Sequence, residues 1–164
     1  MGYRARSQSK GFDRMPVDIE RILLELDHEL PDYDTQIGLQ TVTGIKDPFY
    51  ATGRITDKNH KEEDFIEFLF DLPYTNSILS EHGVYRTRVM RMHPKTCYTY
   101  HQDWTKRFHL PLITNDNCFF IIDDEIFRYP ANGDIYIADT TKKHTFVNAS
   151  LEERIHIVGC INES

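Results

Sequence analysis

The chain reads as a mainly β protein with flanking helices, an antiparallel barrel or jelly roll braced on one outer face by N-terminal helices. Three observations predict this. From residue 84 onward, short runs rich in β-branched and aromatic residues follow one another, at 85–92, 98–103, 108–114, 118–122, 125–129, 134–138, 144–148 and 154–161. Turn-forming residues separate them, such as His93-Pro94-Lys95, Asn115-Asp116-Asn117, Asp123-Asp124 and Ala131-Asn132-Gly133. Ahead of residue 84 the apolar residues recur at helical rather than strand spacing. Many short strands with frequent turns are the pattern of barrels and jelly rolls.

The N-terminal elements follow from the same rules. Residues 17–30 place Ile19, Leu23, Leu26 and Leu30 on one helical face, and Pro31 stops the helix. Residues 39–43 suit a short strand. Residues 58–70 open on Asn59 and His60 and carry Phe65, Ile66, Leu69 and Phe70. That spacing predicts a second helix, ended by Pro73. No repeat or low-complexity linker interrupts the chain, so residues 16–164 are expected to form one domain with its β core at about 84–161. Residues 1–15 are basic and polar and are expected to form a flexible tail. They lack the apolar segment of a secretory signal, and Arg6 stands where a myristoylation signal prefers Ser or Thr.

Composition narrows the function classes. The 164 residues are 40% hydrophobic and 27% charged, with no apolar run long enough to cross a bilayer as a helix. A net charge of −7 argues against a dedicated nucleic-acid binder. Arg86, Arg88, Arg91 and Lys95 cluster locally, and their alternation reads as polar positions on a strand rather than a binding stripe. Cys97, Cys118 and Cys160 form no CxxC pair, which points to neither a zinc site nor a disulfide framework. Cys118 and Cys160 lie in apolar strands as small buried residues, and a reducing cytoplasm is the expected compartment.

One constellation carries chemistry. His101 and Asp103 form an H-x-D at the end of the run 98–103, and residues two apart on a strand share a face. His144 opens a later strand. Two histidines and a carboxylate on one face of iron(II) make the facial triad of non-haem oxygenases, with the remaining positions open. Arg154 follows His144 by ten residues, on the last strand. A guanidinium there suits the distal carboxylate of 2-oxoglutarate, which it can grip bidentately where lysine cannot. Each piece alone arises often by chance. Their combination on the strand ends of one barrel does not.

The residues also resemble a family. Met92-His93-Pro94-Lys95-Thr96 leading to His101, then Arg107-Phe108-His109-Leu110-Pro111-Leu112, Gly133-Asp134, His144, Asn148 and Arg154-Ile155-His156-Ile157-Val158 are similar to the aspartyl/asparaginyl β-hydroxylases. That family belongs to the cupin-type 2-oxoglutarate oxygenases and includes free-proline hydroxylases. The likeness runs from Tyr85 to Gly159, and residues before it show no comparable signature. It implies a double-stranded β-helix with iron at one mouth, His101 and His144 as metal histidines, Arg154 on the cosubstrate's C5 carboxylate, and Arg107 and His109 near the cosubstrate. Asp103 follows the proline-hydroxylase branch; some relatives have glycine there. A serine that assists the arginine in relatives aligns with Met90, leaving Tyr98, Tyr100 or Thr96 to supply a hydroxyl.

The resemblance implies hydroxylation of an amino-acid side chain, free or within a protein, using dioxygen and releasing succinate and carbon dioxide. Two other readings stand beside it: a cupin-like metal-binding or ligand-sensing protein without turnover, and a metal enzyme on the same barrel that uses no oxoacid. His156 reads as mainly structural. Trp104 reads as packing over the barrel rim, with a substrate-pocket wall as the alternative. Substrate choice is expected from loops at 41–59 and 71–83. No oligomeric state follows from the pattern.

Overall fold

The computed structural model describes residues 15–162, so the expected N-terminal tail lies outside the described residues save for Met15. Helix α1 (Ile19–Glu29) starts where Asp18 accepts a hydrogen bond from the Arg21 amide, an N-cap that satisfies one orphan donor. It stops at Leu30, before the proline. Strands β1 (Gln36–Gly38) and β2 (Gln40–Thr41) follow, then a single turn at Glu62–Asp64 and strand β3 (Glu67–Phe68). Helix α2 (Pro73–Glu81) leads into β4 (Tyr85–Met92), β5 (Thr96–Cys97), β6 (Arg107–Ile113) and β7 (Cys118–Ile122). The chain ends through β8 (Glu125–Phe127), β9 (Tyr136–Ala138), β10 (His144–Asn148) and β11 (Arg154–Cys160).

The strands form two facing sheets, in the orders β1-β4-β11-β6-β9 and β5-β10-β7-β8, with β2-β3 as a small annex. Every pairing is antiparallel. The result is mainly β with two helices, a jelly-roll-like arrangement rather than a closed barrel. Among the described residues no helix is long and apolar enough to cross a membrane.

Alternation along the large sheet sorts its side chains. Val89, Phe108, Leu110, Leu112, Ile155 and Ile157 point outward and pack with Ile22, Leu26, Ile78 and Leu79 of the two helices. Each such side chain contributes about 1.5–3 kcal/mol on burial. The opposite face meets Phe120, Ile122 and Phe146 of the small sheet. That inner face also carries the buried Arg88, Arg107, His109, Arg154 and His156. Arg86 interrupts β4 with φ of 50°, where the β4–β11 register shifts between Val158 and Cys160. Gly159 lies under this irregularity because a Cβ there would come within 2.8 Å of the Thr87 methyl.

Several expectations are corrected. Residues 58–70 are not a helix: they make the turn and strand β3, with Gln40 opposite Phe68 and Thr41 opposite Glu67. Pairing with β2 and burial of Phe65 against Val42 and Ala51 override the helical spacing. The second helix lies just beyond, and Pro73 starts it rather than ending its predecessor. At the first helical position a missing N–H leaves nothing unsatisfied. Residues 71–83 are therefore mostly helix on the outer face rather than a substrate loop. The predicted strand 98–103 is also absent. Val147 faces Cys97, but His101 pairs with His144 across an isolated bridge. One extra residue lies between them, so strict alternation is lost.

Candidate metal centre

His101, Asp103 and His144 converge. Each offers one ligand atom, and the three atoms lie within 4.8 Å of one another. Backbone bonding brings them together: the His101 and His144 amides each donate to the other's carbonyl, at 3.0 and 2.9 Å. The Asp103 amide donates to the Thr140 carbonyl at 2.8 Å, which ties the H-x-D segment to the turn ahead of β10. The convergence expected from strand alternation is thus achieved by a bridge and a loop tether instead.

The donor set fits a divalent metal ion. His101 Nδ1 lies 2.7 Å from the Thr99 carbonyl and His144 Nδ1 lies 2.8 Å from the Lys142 carbonyl. A carbonyl only accepts, so both rings carry their proton on Nδ1 and present the Nε2 lone pair. His144 Nε2 is buried without a partner. Asp103 Oδ2 stands 3.5 Å from it, and Oδ1 stands 3.8 Å from His101 Nε2. Burial lowers the His144 pKa, favouring the neutral ring a metal requires.

Arg107 holds the carboxylate side of this group. Its Nε lies 3.4 Å from Asp103 Oδ2, and its Nη1 lies 3.0 Å from Glu62 Oε2. Glu62 comes from the turn that replaces the expected second helix. Burial alone would raise its pKa, but Arg107, the Cys160 thiol and Arg86 hold it below the usual carboxylate range. Burial pushes Cys160 up to about 12, so the thiol is a neutral donor to Glu62. Local pattern could not flag Glu62, because its partners lie far along the chain.

Deeper between the sheets, Arg154 is 2% exposed, and its Nε has no hydrogen-bond partner. Its guanidinium carbon lies 5.6 Å from the Phe120 ring centre and 5.9 Å from that of Phe146. Burial pulls its pKa down to about 10, while Tyr98 and Cys118 push the other way. Tyr98 also packs edge-on to Phe146 at 5.6 Å, whereas Tyr100 is half exposed and Thr96 bonds the His93 carbonyl. Of the three hydroxyl residues, Tyr98 is therefore the one near Arg154.

His109 and His156 share this interior, with Phe120 against both rings. Their Nδ1 atoms are 3.1 Å apart, and both Nε2 atoms are buried without partners. Burial drives both pKa values well below 6.5. Two neutral imidazoles can share that contact only if one donates and the other accepts. The first then offers Nε2 as an acceptor and the second offers Nε2–H as a donor. His156, read from sequence as mainly structural, is a full member of this interior.

Trp104 is 93% exposed and packs over nothing, so the expected rim cover is absent. Arg86 and Arg88 are buried rather than solvated. Two surface hollows lie away from the triad: one of about 720 Å³ beside α1, and one of about 330 Å³ lined by Gln36, Phe49 and Gly53 among others.

The profile of the aspartyl/asparaginyl beta-hydroxylases matches residues 50–161. It thus begins well before the likeness legible from Tyr85 and takes in Glu62 and α2. An L-proline cis-4-hydroxylase from Rhizobium meliloti is 30% identical over 97 residues, 53% of this chain and 34% of that protein. The chain therefore spans about a third of that relative's length. A crystal structure of an oxidoreductase of the 2OG-Fe(II) oxygenase family from Burkholderia pseudomallei superposes with a TM-score of 0.54 at 16% identity, over 87% of this chain and 76% of that one. That likeness supports the fold alone. With the profile matched across more than half of its length, this chain belongs to the aspartyl/asparaginyl β-hydroxylase family.

Proposed function

We propose that this protein is an iron(II)- and 2-oxoglutarate-dependent oxygenase that hydroxylates an amino-acid side chain, with His101, Asp103 and His144 as metal ligands. The observation that carries this reading is a pair of buried nitrogens without hydrogen-bond partners, His144 Nε2 and Arg154 Nε. Buried polar groups without partners are rare, and a bound ligand accounts for both. Iron bound there would supply oxidative decarboxylation of the oxoacid, coupled to hydroxylation, with succinate and carbon dioxide as coproducts.

The protein's own residues provide the geometry. The carbonyls of Thr99 and Lys142 hold the two ligand imidazoles in the Nε2-ligating tautomer. Arg107, braced by Glu62, orients the Asp103 carboxylate. Arg154 receives the C5 carboxylate of 2-oxoglutarate, with Tyr98 as the neighbouring hydroxyl. His109 and His156 would line the space between these groups, with Phe120 packed against both rings and Phe146 against His109. The hydroxylase relative makes a free amino acid or an amino-acid residue the substrate class to test first.

The test is succinate release from 2-oxoglutarate with added iron, across free amino acids and peptides. We expect iron-dependent succinate that is lost in His101→Ala. Iron binding without succinate under any substrate would sink the reading in favour of a metal-binding or ligand-sensing protein.

A further inference from the structure

The hollow of about 720 Å³ lies on the helix side of the large sheet. It is bordered by α1, by residues 30–33 that follow it, and by the ends of β4, β6 and β11. Along α1 and its C-cap, Glu20, Leu23, Leu24, Asp27 and Leu30 line it, and spacings of three and four put them on one helical face. Leu26 and Ile155, each 7% exposed, form its floor, while Leu24 stands 71% exposed at its rim. The volume falls within the range of about 300–1,000 Å³ that accepts the side chains of a ligand.

Charge sets the character of this groove. Glu20, Asp27, Asp32 and Glu153 surround its apolar floor. Arg91 is the one arginine or lysine in the lining, and its charge is already answered: the guanidinium lies 3.0 Å from Glu153 and 4.4 Å over the Tyr33 ring. Among the described residues, Glu20, Asp27 and Asp32 have no ion-pair partner. Exposed leucines and exposed acids are each ordinary. Here they interleave down one helical face beside a cavity. Such a surface repels nucleic acid and anionic membranes. It also repels a second copy, since the chain carries a net charge of −7 and a symmetric contact sets these carboxylates against their own images.

We propose that this groove docks a basic amphipathic helix of a partner protein, with apolar side chains on the floor and lysines or arginines against Glu20, Asp27 and Asp32. A helix laid along α1 fits because side chains three and four apart form ridges that enter such grooves. Its apolar face takes Leu24 out of water, and its cations answer carboxylates that have no partner. A neutral or acidic segment loses the second gain, and a basic segment without an apolar face loses the first. The inference is independent of the oxygenase reading, because no residue of the triad lines the groove. Ile155 on its floor is the outward neighbour of Arg154 on β11, so docking leaves the inner face of the sheet untouched.

The experiment titrates the full chain into a fluorescent lysine–leucine peptide of about 15 residues, with its leucines at helical spacing, and reads anisotropy. The controls are the same residues in scrambled order and a version with glutamate in place of lysine. We expect saturable binding of the first peptide and binding weaker by about tenfold or more for both controls. Glu20→Lys with Asp27→Lys should weaken the lysine peptide by about tenfold or more and let the glutamate version bind, and Leu24→Ser should weaken the lysine peptide to a similar degree. All three positions are exposed, so the fold survives the changes. Asp116→Lys with Glu125→Lys alters the net charge equally at exposed positions by the small sheet and should leave the affinity unchanged. An equal loss in that variant, equal binding of the scrambled peptide, or no binding at all overturns the proposal. Two further results overturn it by giving the groove to another occupant. Probe affinity that rises about tenfold in the full chain carrying Arg4→Ser, Arg6→Ser, Lys10→Ser and Arg14→Ser assigns it to the chain's own residues 1–14. A dimer seen by sedimentation and abolished by Leu24→Ser assigns it to a second copy.

Discussion

The two faces of the large sheet are made by the same strands and do opposite things. On β11, Ile155 and Ile157 turn toward the helices, while Arg154 and His156 turn between the sheets. On β6, Phe108 and Leu110 take the first side, Arg107 and His109 the second. Both sets are equally buried. The outward set stabilises the fold by removing apolar surface from water; the inward set leaves Arg154 Nε and two imidazole Nε2 atoms unanswered and destabilises it. A sheet that keeps both faces dry thus devotes one to stability, while the other holds the residues proposed to bind.

The comparison can be broken at several points. Phe108→Ala, on the outer face, should cost about 3–5 kcal/mol in denaturant unfolding, because the site is walled by two helices and a sheet that cannot collapse. A loss under 1 kcal/mol would mean that the outer face is not the stabilising one. Arg154→Met should do the reverse. Affinity for 2-oxoglutarate should fall by at least about 30-fold, while the unfolding midpoint stays level or rises as an unpaired buried charge is removed. A clear drop in the midpoint would show that the cation is structural.

The inner face should also reveal itself through pH. His109 and His156 have pKa values well below 6.5 when folded, so the unfolded chain binds protons that the folded chain refuses. Stability is full above about pH 6.5 and is lost as pH falls below it, by up to about 1.4 kcal/mol per pH unit for each ring. His156→Phe should make the slope between pH 6.5 and 5 shallower, and an unchanged slope would place the titration elsewhere. The smallest effect is expected at Trp104→Ala, within about 0.5 kcal/mol of the parent, since the ring touches neither face.

The strands were legible where alternation and β-branched residues agreed. The runs at 85–92, 118–122 and 144–148 match β4, β7 and β10 end to end. Helix α1 was equally clear from its spacing and the Pro31 that stops it. The failures share one cause. Residues 58–70 have helical spacing, yet pairing with β2 made them turn and strand, and Pro73 was misjudged because a proline can open a helix as readily as it ends one. In the site, His101, Asp103, His144 and Arg154 were readable as residue types whose spacing suits metal and oxoacid. Glu62 and the inward role of Arg88 were not, since their partners lie tens of residues away.

The sequence by itself determined the alternation that divides one sheet into an apolar and a polar face, and the side chains able to hold a metal ion. Periodicity and donor chemistry are local properties, complete in the order of residues. Only the tertiary structure decided how the ligands converge, through an isolated bridge and the Thr140 tether rather than a regular strand. It alone decided that His156 faces His109, that Glu62 braces Arg107, and that Arg88 Nε is buried without a hydrogen-bond partner. Those are matters of which buried charge meets which partner, and burial is settled by the packing of the whole chain.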